Sequence, residues 1–319
     1  RLYKKPTTTD PVIVGPVLTL QVLPHFLGAK FFGVDDDMIY VSTGGFRGRT
    51  AAAVSAELIS AGVTSIELSG CEYSPTLLSD LQALLSAVDF QIHNYFPPPA
   101  DPFVLNLGSL DAAVGDRSVA HVEQALEWCV ALGSDRYSFH AGFLLDPKVD
   151  ELGKRIPSRN LFDRDDCIEV FVSRVSRLAD IAEKAGVSLM IENNVLSARN
   201  AAQFSANPLL MCDPQESEKI MAMMPSNVGQ LIDVAHLKVS ANSLNFDPVT
   251  MFEVCNDRIV AYHLSDNNGL EDSNKPFAED AWFWPHIKSD VGYYSVEVYH
   301  CTPDHLLQQV GIVRSKLGQ

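Results

Sequence analysis

The feature that most constrains this chain is a rhythm. Eight short, largely apolar runs each alternate with longer stretches, most of which carry helical spacing. The runs are Met38–Ser42, Ser65–Ser69, Phe90–His93, Tyr137–His140, Ser188–Glu192, Gln230–Asp233, Val260–Leu264 and Tyr294–Tyr299. They are rich in β-branched and aromatic residues, as strands buried on both faces are. The intervening helices are expected at Ala51–Ala61, Thr76–Ala87, Ser118–Leu132, Cys167–Ala185, Pro214–Met223, Pro248–Cys255 and Pro303–Leu317. Ser74-Pro75 offers a cap followed by a proline in the first turn. Ala61-Gly62, Leu132-Gly133 and Ala185-Gly186 recur just before a strand, where a left-handed residue turns a helix back into the next strand. Repeated eight times, the alternation predicts an α/β fold, a closed (β/α)8 TIM barrel over residues 37–319 with an N-terminal extension over 1–36. An open doubly wound sheet is the alternative. It needs a glycine-rich phosphate loop after the first strand, and Ser42-Thr43-Gly44-Gly45 lacks that spacing.

A length of 319 residues suits one such barrel, and 46% hydrophobic residues supply its core. With 24 Lys and Arg against 40 Asp and Glu the net charge is −16, which argues against a nucleic-acid partner that must displace counterions from phosphates. The modest basic loop Gly153–Arg159 reads as solvated surface, with contact to a substrate phosphate as the lesser reading. The six cysteines are widely spaced with no C-x-x-C pair, so they read as small buried hydrophobes in a reducing compartment. Val12–Leu23 is too short and broken to cross a bilayer. No membrane partner and a cytoplasmic location are therefore expected, and a homo-oligomer is compatible with the sequence.

In a barrel, the side chains at the C-terminal strand ends converge on one pocket. Here those ends deliver Glu67, His93, His140, Glu192, Asp233 (with His236 three residues on), His263 (followed by Asp266) and Glu297. One histidine at a strand end is ordinary. Seven consecutive strands each sending a histidine or carboxylate to the same mouth are not, because charges are rarely buried unless paired or bound to metal. The carboxylates would repel one another, and a divalent cation resolves that repulsion. The stretch Ala141–Asp165 reads as an active-site loop or lid.

The segments Phe139-His140-Ala141-Gly142, Ile191-Glu192-Asn193, Asp233-Val234-Ala235-His236 and His263-Leu264-Ser265-Asp266-Asn267, with Glu297, together resemble the xylose isomerase-like barrel superfamily from about Met38 to the end. That superfamily contains sugar isomerases, ketose epimerases, inosose dehydratases and the endonuclease IV family. The resemblance implies a shared metal site of Glu192, Asp233, His263 and Glu297, and a second site in which His93 and His140 join Glu192. Three carboxylates and one imidazole favour Mn²⁺ or Mg²⁺, with Co²⁺ and Zn²⁺ as alternatives. The endonuclease branch needs a third site built on a histidine such as His236 plus Asp-x-His, and here that segment reads Asp272-Ser273-Asn274. One tightly held metal, a second of lower occupancy and an empty third position are therefore expected.

The expected activity is a metal-dependent sugar, sugar-phosphate or polyol isomerase or epimerase that passes through an enediolate. An inosose-type dehydratase on the same site is the alternative, and a phosphodiesterase ranks below both. Glu192 and Glu297, from strands five and eight, would flank a bound sugar and exchange its proton. His236 would move a proton between oxygens. Glu67, Asn194, Asp266, Arg155 and Lys275 are the expected substrate contacts, and Trp282-Phe283-Trp284 reads equally as pocket wall or plain packing.

Overall fold

The computed structural model of the chain describes residues 38–319; the extension expected over residues 1–36 lies outside them. Eight parallel strands close in chain order: β1 (Ile39–Ser42), β2 (Ser65–Leu68), β3 (Asp89–His93), β4 (Arg136–His140), β5 (Ser188–Glu192), β6 (Val228–Asp233), β7 (Ile259–Leu264) and β8 (Tyr293–Val296). The last pairs back onto the first, with Tyr294 opposite Ile39. Each expected strand is present, with ends that match to within two residues, or three at the end of β8, and Ser188–Glu192 matches at both ends. β8 stops at Val296, but the Glu297 amide still donates to the Leu264 carbonyl of β7 at 3.1 Å, so Glu297 remains anchored to the barrel rim.

The helices are α1 (Ala51–Ser60), α2 (Leu77–Gln82), α3 (Ala112–Leu132), α4 (Arg164–Ala185), α5 (Ala198–Ala201), α6 (Pro214–Met223), α7 (Val234–Leu244), α8 (Val249–Val254) and α9 (Pro303–Leu317). Differences from expectation trace to capping. α3 starts at Ala112 rather than Ser118 because the Asp111 carboxylate accepts from the amides of Ala113 and Val114. α4 starts at Arg164 because Asp163 does the same for Asp165 and Asp166. α2 was expected to run to Ala87 but gives way to turns after Gln82. α7 was not expected at all. It begins on the residue after β6, so no glycine or proline marks the junction, and Asp233 serves as both the last strand residue and the helix cap. Gly133 and Gly186 end α3 and α4 in the left-handed conformation, as the sequence suggests. Among the described residues no helix is long and apolar enough to cross a membrane.

The period-two geometry of the strands sorts their side chains. Ile66, Leu68, Ile92, Phe139, Leu189, Ile191, Tyr262 and Val296 point outward into the main core against the helices. Inside the barrel, Tyr40, Met190, Leu231, Ala261 and Tyr293 form a separate apolar plug. The inward residues two further along β5, β6, β7 and β8 are Glu192, Asp233, His263 and Ser295, so the interior changes from apolar to polar within one layer toward the C-terminal mouth. All six cysteines are free.

Candidate metal centre and its cavity

Glu192, Asp233, His263 and Glu297 come together with one ligand atom each, all within 4.8 Å of one another. They arrive from four neighbouring strands of one closed sheet with a staggered register: Glu192 pairs with Leu231, two residues before Asp233, Asp233 pairs with His263, and His263 with Ser295, two residues before Glu297. Glu192, Asp233 and His263 are fully buried and Glu297 is nearly so.

The hydrogen bonding of this group is incomplete in a way that points to a cation. Both carboxylate oxygens of Glu192, and Oδ2 of Asp233, are buried without a hydrogen-bond partner. Imidazole nitrogens approach Glu192 closely (His93 at 3.2 Å, His140 at 3.1 Å, His236 at 3.3 Å, His263 at 3.5 Å) without forming hydrogen bonds to it. An unpaired buried carboxylate is costly, and convergent ones more so. Three carboxylates and an imidazole with free lone pairs aimed at one point fit a hard divalent ion. His93, His140 and Glu192 form a second such group.

Burial and the neighbouring imidazoles set the protonation of the group. Burial, only partly opposed by His236, pushes the Asp233 carboxyl up to about 8. Burial would also raise Glu192 and Glu297. For Glu192 it is outweighed by His140, His93 and His263, which take the group well below the carboxylate range. For Glu297 it is outweighed by His263, which brings it to about 2. Burial disfavours the charged form of His263, but Glu67, Glu192 and Glu297 raise it well above the ordinary histidine value. His140, governed by burial, falls to about 4.

A layer of side chains beneath holds this group in place. Glu67 Oε2 lies 2.9 Å from His263 Nε2, and its Oε1 accepts from Ser295 Oγ at 2.8 Å. His263 Nδ1 faces Glu297 at 3.0 Å, so the ring is fixed at both nitrogens. His93 Nδ1 meets Ser138 Oγ at 2.9 Å, which reaches Tyr293 at 3.1 Å. Asn193 clamps the backbone of Asp233 through both amide atoms, at 2.9 and 3.1 Å. Above the site, the Tyr299 hydroxyl donates to Glu297 Oε1 at 2.8 Å.

The floor of the cavity above the centre is formed by His140 and His236, whose rings lie 5.5 Å apart. The cavity has a volume of about 280 Å³. His236 Nδ1 sits 3.0 Å from the Asn193 carbonyl, and its Nε2 lies 3.3 Å from Asp272. Tyr95, Phe143 and Leu209 give the walls an apolar face, and Asn194, Lys154 and Arg199 add polar groups. The expected loop 141–165 does border this space, through Phe143 and the segment 151–154. It is well anchored: Arg159 grips Glu151 through two nitrogens at 3.0 and 2.7 Å, and Asn106 donates to the carbonyls of Phe143 and Leu145.

Several expected substrate contacts lie elsewhere. Glu67 is fully buried below His263, because the register sets it beside Ser42 and Gln91, beneath the ligands. Arg155 points to Gln203, which accepts from it at 2.8 and 2.5 Å; its neighbour Lys154 lines the cavity instead. Asp266 pairs with Lys238 of α7 at 2.6 Å, and the backbone of Lys275 bridges to Asp266, so neither side chain borders the cavity. Asn194 does border it, with its amide nitrogen committed to the carbonyls of Ala141, Gly142 and Leu210. Trp282, Phe283 and Trp284 pack on one another and on Phe277 and Phe252, away from the cavity. Arg199 carries no signal in the sequence, since it stands outside the strand-end motifs, and Tyr299, the last residue of the expected eighth strand, does not stand out among the histidines and carboxylates.

Solved structures with this fold include a D-tagatose 3-epimerase-like protein, 20% identical, with a TM-score of 0.65 over 88% of this chain and 97% of that one. A D-allulose 3-epimerase from Methylomonas sp. is 14% identical, with a TM-score of 0.63 over 88% of this chain and 98% of that one. A family 2 AP endonuclease from Brucella melitensis is 14% identical, with a TM-score of 0.58 over 85% of this chain and 96% of that one. No curated protein matches the chain. The family model for the xylose isomerase-like TIM barrel matches residues 55–305, and the chain belongs to that family.

Proposed function

We propose that this protein is a divalent-metal-dependent epimerase or isomerase that moves a proton at a carbon beside a carbonyl in a sugar or polyol. The observation that carries the reading is the convergence of Glu192 and Glu297, from strands three apart in the barrel, on one buried group that also holds Asp233 and His263, with three carboxylate oxygens lacking partners. Names of the structural relatives, among them D-tagatose 3-epimerase-like protein and D-allulose 3-epimerase, support it. When bound, a divalent ion draws electron density from a carbonyl and acidifies the neighbouring C–H.

The chain's own residues supply the proton chemistry. Glu192 and Glu297 are two carboxylates approaching the reacting carbon from different strands, one to take a proton and one to return it. The Tyr299 hydroxyl fixes Glu297 Oε1, so the direction of its free lone pairs is set before substrate arrives. His236 lies between Glu192 and Asp272 at the cavity floor, within reach of both, and is placed to shift a proton between substrate oxygens. Tyr95 and Phe143 give the cavity an apolar face beside His140. The oxygen-rich donor set favours Mn²⁺ or Mg²⁺ over metals that prefer sulfur.

The test is deuterium uptake. Protein loaded with Mn²⁺ is incubated in heavy water with a panel of ketoses and inososes, and label at the carbon next to the carbonyl is read by NMR. Uptake that needs the metal supports the reading. Elimination of water with formation of a new keto product, and no exchange without it, replaces epimerisation by dehydration.

A further inference from the structure

The cavity above the metal centre carries two cations that nothing in the fold uses. Lys154 and Arg199 both line it, and neither side chain makes a hydrogen bond or ion pair with any described residue. Other described cations, among them Lys184 and Lys316, are also unpaired; what sets Lys154 and Arg199 apart is that both line one cavity. The positive groups nearby are spent: Arg155 on Gln203, and Arg159 on Glu151.

Their placement is built. Asn200, the residue after Arg199, donates to the Lys154 carbonyl at 3.0 Å and accepts from the Ile156 amide at 3.0 Å. The loop after β4 and the loop after β5 are thereby stapled to each other, with Lys154 and Arg199 on the two sides of the staple. The acidic groups of the same cavity do not cancel them. Glu151 is neutralised by Arg159, and Asp272 faces His236. Glu271 also lines the cavity, as the chain neighbour of Asp272, and makes no ion pair with Lys154 or Arg199.

We infer that Lys154 and Arg199 form a subsite for a terminal oxyanion of the substrate, a phosphate or carboxylate on the end of the sugar remote from the reacting carbon. A guanidinium and an ammonium together match such a group in charge and in hydrogen-bond donors. Binding energy gathered at a remote anion holds the reacting carbon in place over the carboxylates. The inference rests on the proposed reaction for its substrate, but the subsite stands on its own geometry.

The experiment uses the metal-loaded full chain and deuterium exchange with matched probes: D-fructose and D-tagatose, their 6-phosphates, and the keto-acids D-fructuronate and D-tagaturonate. The expected result is a kcat/KM for one anionic class about 100-fold or more above the neutral ketose, with phosphate and carboxylate told apart by which class leads. Lys154→Gln and Arg199→Gln are each expected to lower the anionic-to-neutral ratio about tenfold, mostly through KM, and Lys154→Arg to keep it. A purely structural role would lower both substrates together and leave the ratio in place. Neutral ketoses turned over as well as the charged ones, or a ratio insensitive to both substitutions, overturns the subsite while leaving the proposed function intact. If neither a ketose nor an inosose exchanges, the proposed function fails, and binding of inorganic phosphate decides the subsite. Saturable phosphate binding lost in the Lys154→Gln/Arg199→Gln double variant supports it, and phosphate binding absent or unchanged in that variant overturns it.

Discussion

Glu67 Oε2 lies 2.9 Å from Nε2 of His263, while the opposite ring nitrogen faces the carboxylates of Glu297 and Glu192. The contact sets which ring nitrogen faces the other ligand side chains. Imidazoles that bind metal commonly donate their second nitrogen to a carboxylate, which orients the ring and strengthens it as a ligand. Glu67→Ala removes that acceptor from a fully buried donor. A loss of about 10–100-fold in metal affinity is expected, with a destabilisation of about 1–3 kcal/mol for the stranded nitrogen. Chelator competition with Mn²⁺ and thermal unfolding measure the two effects. Unchanged metal affinity would show that Glu67 does not orient the ring.

Tyr299 acts on Glu297 from the other side, and Gly44 makes room for it. A Cβ on Gly44 would sit 2.8 Å from the Tyr299 hydroxyl and 3.4 Å from Glu297 Oε1, too close for the hydroxyl to stay. Tyr299→Phe and Gly44→Ala are each expected to lower kcat about tenfold, the scale of one lost charge-assisted hydrogen bond, with little change in KM. Because both act through one contact, the double variant is expected to be little worse than either single one. Additive losses would separate the two residues.

Metal uptake is expected to depend on pH through Asp233. Its carboxyl, raised by burial to about 8, holds a proton at neutral pH, and a metal ligand must release it. Apparent affinity for Mn²⁺ is therefore expected to rise with pH up to about 8, with proton release detectable by calorimetry in buffers of different ionisation enthalpy. The sign for stability is the reverse. A group with a raised folded value favours the folded metal-free protein below its unfolded value of 3.8, and that contribution fades as pH rises through about 8. Asp233→Asn is expected to flatten this part of the pH dependence and to abolish tight metal binding. Metal affinity independent of pH between 6 and about 8 would contradict the assignment.

Much of this was legible in the sequence because of what a parallel barrel does to it. Strands such as Ser188–Glu192 are short apolar runs whose final residue is charged, and the fold sends every such end to one mouth. That made Glu192, Asp233, His263 and Glu297 readable as a group. The height of each side chain within the barrel was not readable, since it depends on strand register. Glu67 looks like another mouth residue in sequence, and register places it one layer below. α7 was hidden because Asp233 ends a strand and caps a helix with no break between. The loop residues lay beyond reach for a different reason. Whether Lys154 or Arg155 faces the cavity is decided by hydrogen bonds to Asn200 and Gln203, some 45 residues away, and no local pattern encodes them.

The most direct measurement is deuterium incorporation from heavy water into a ketose beside its carbonyl, followed with Mn²⁺-loaded protein, with the chelated protein, and with Glu192→Gln and Glu297→Gln. The expected result is exchange that appears with metal, vanishes with chelator, and falls at least about 100-fold in each glutamine variant, because an amide cannot accept the proton. Exchange that persists at near-normal rates in Glu297→Gln, or that is indifferent to metal, would contradict a metal-dependent reaction carried by these two carboxylates.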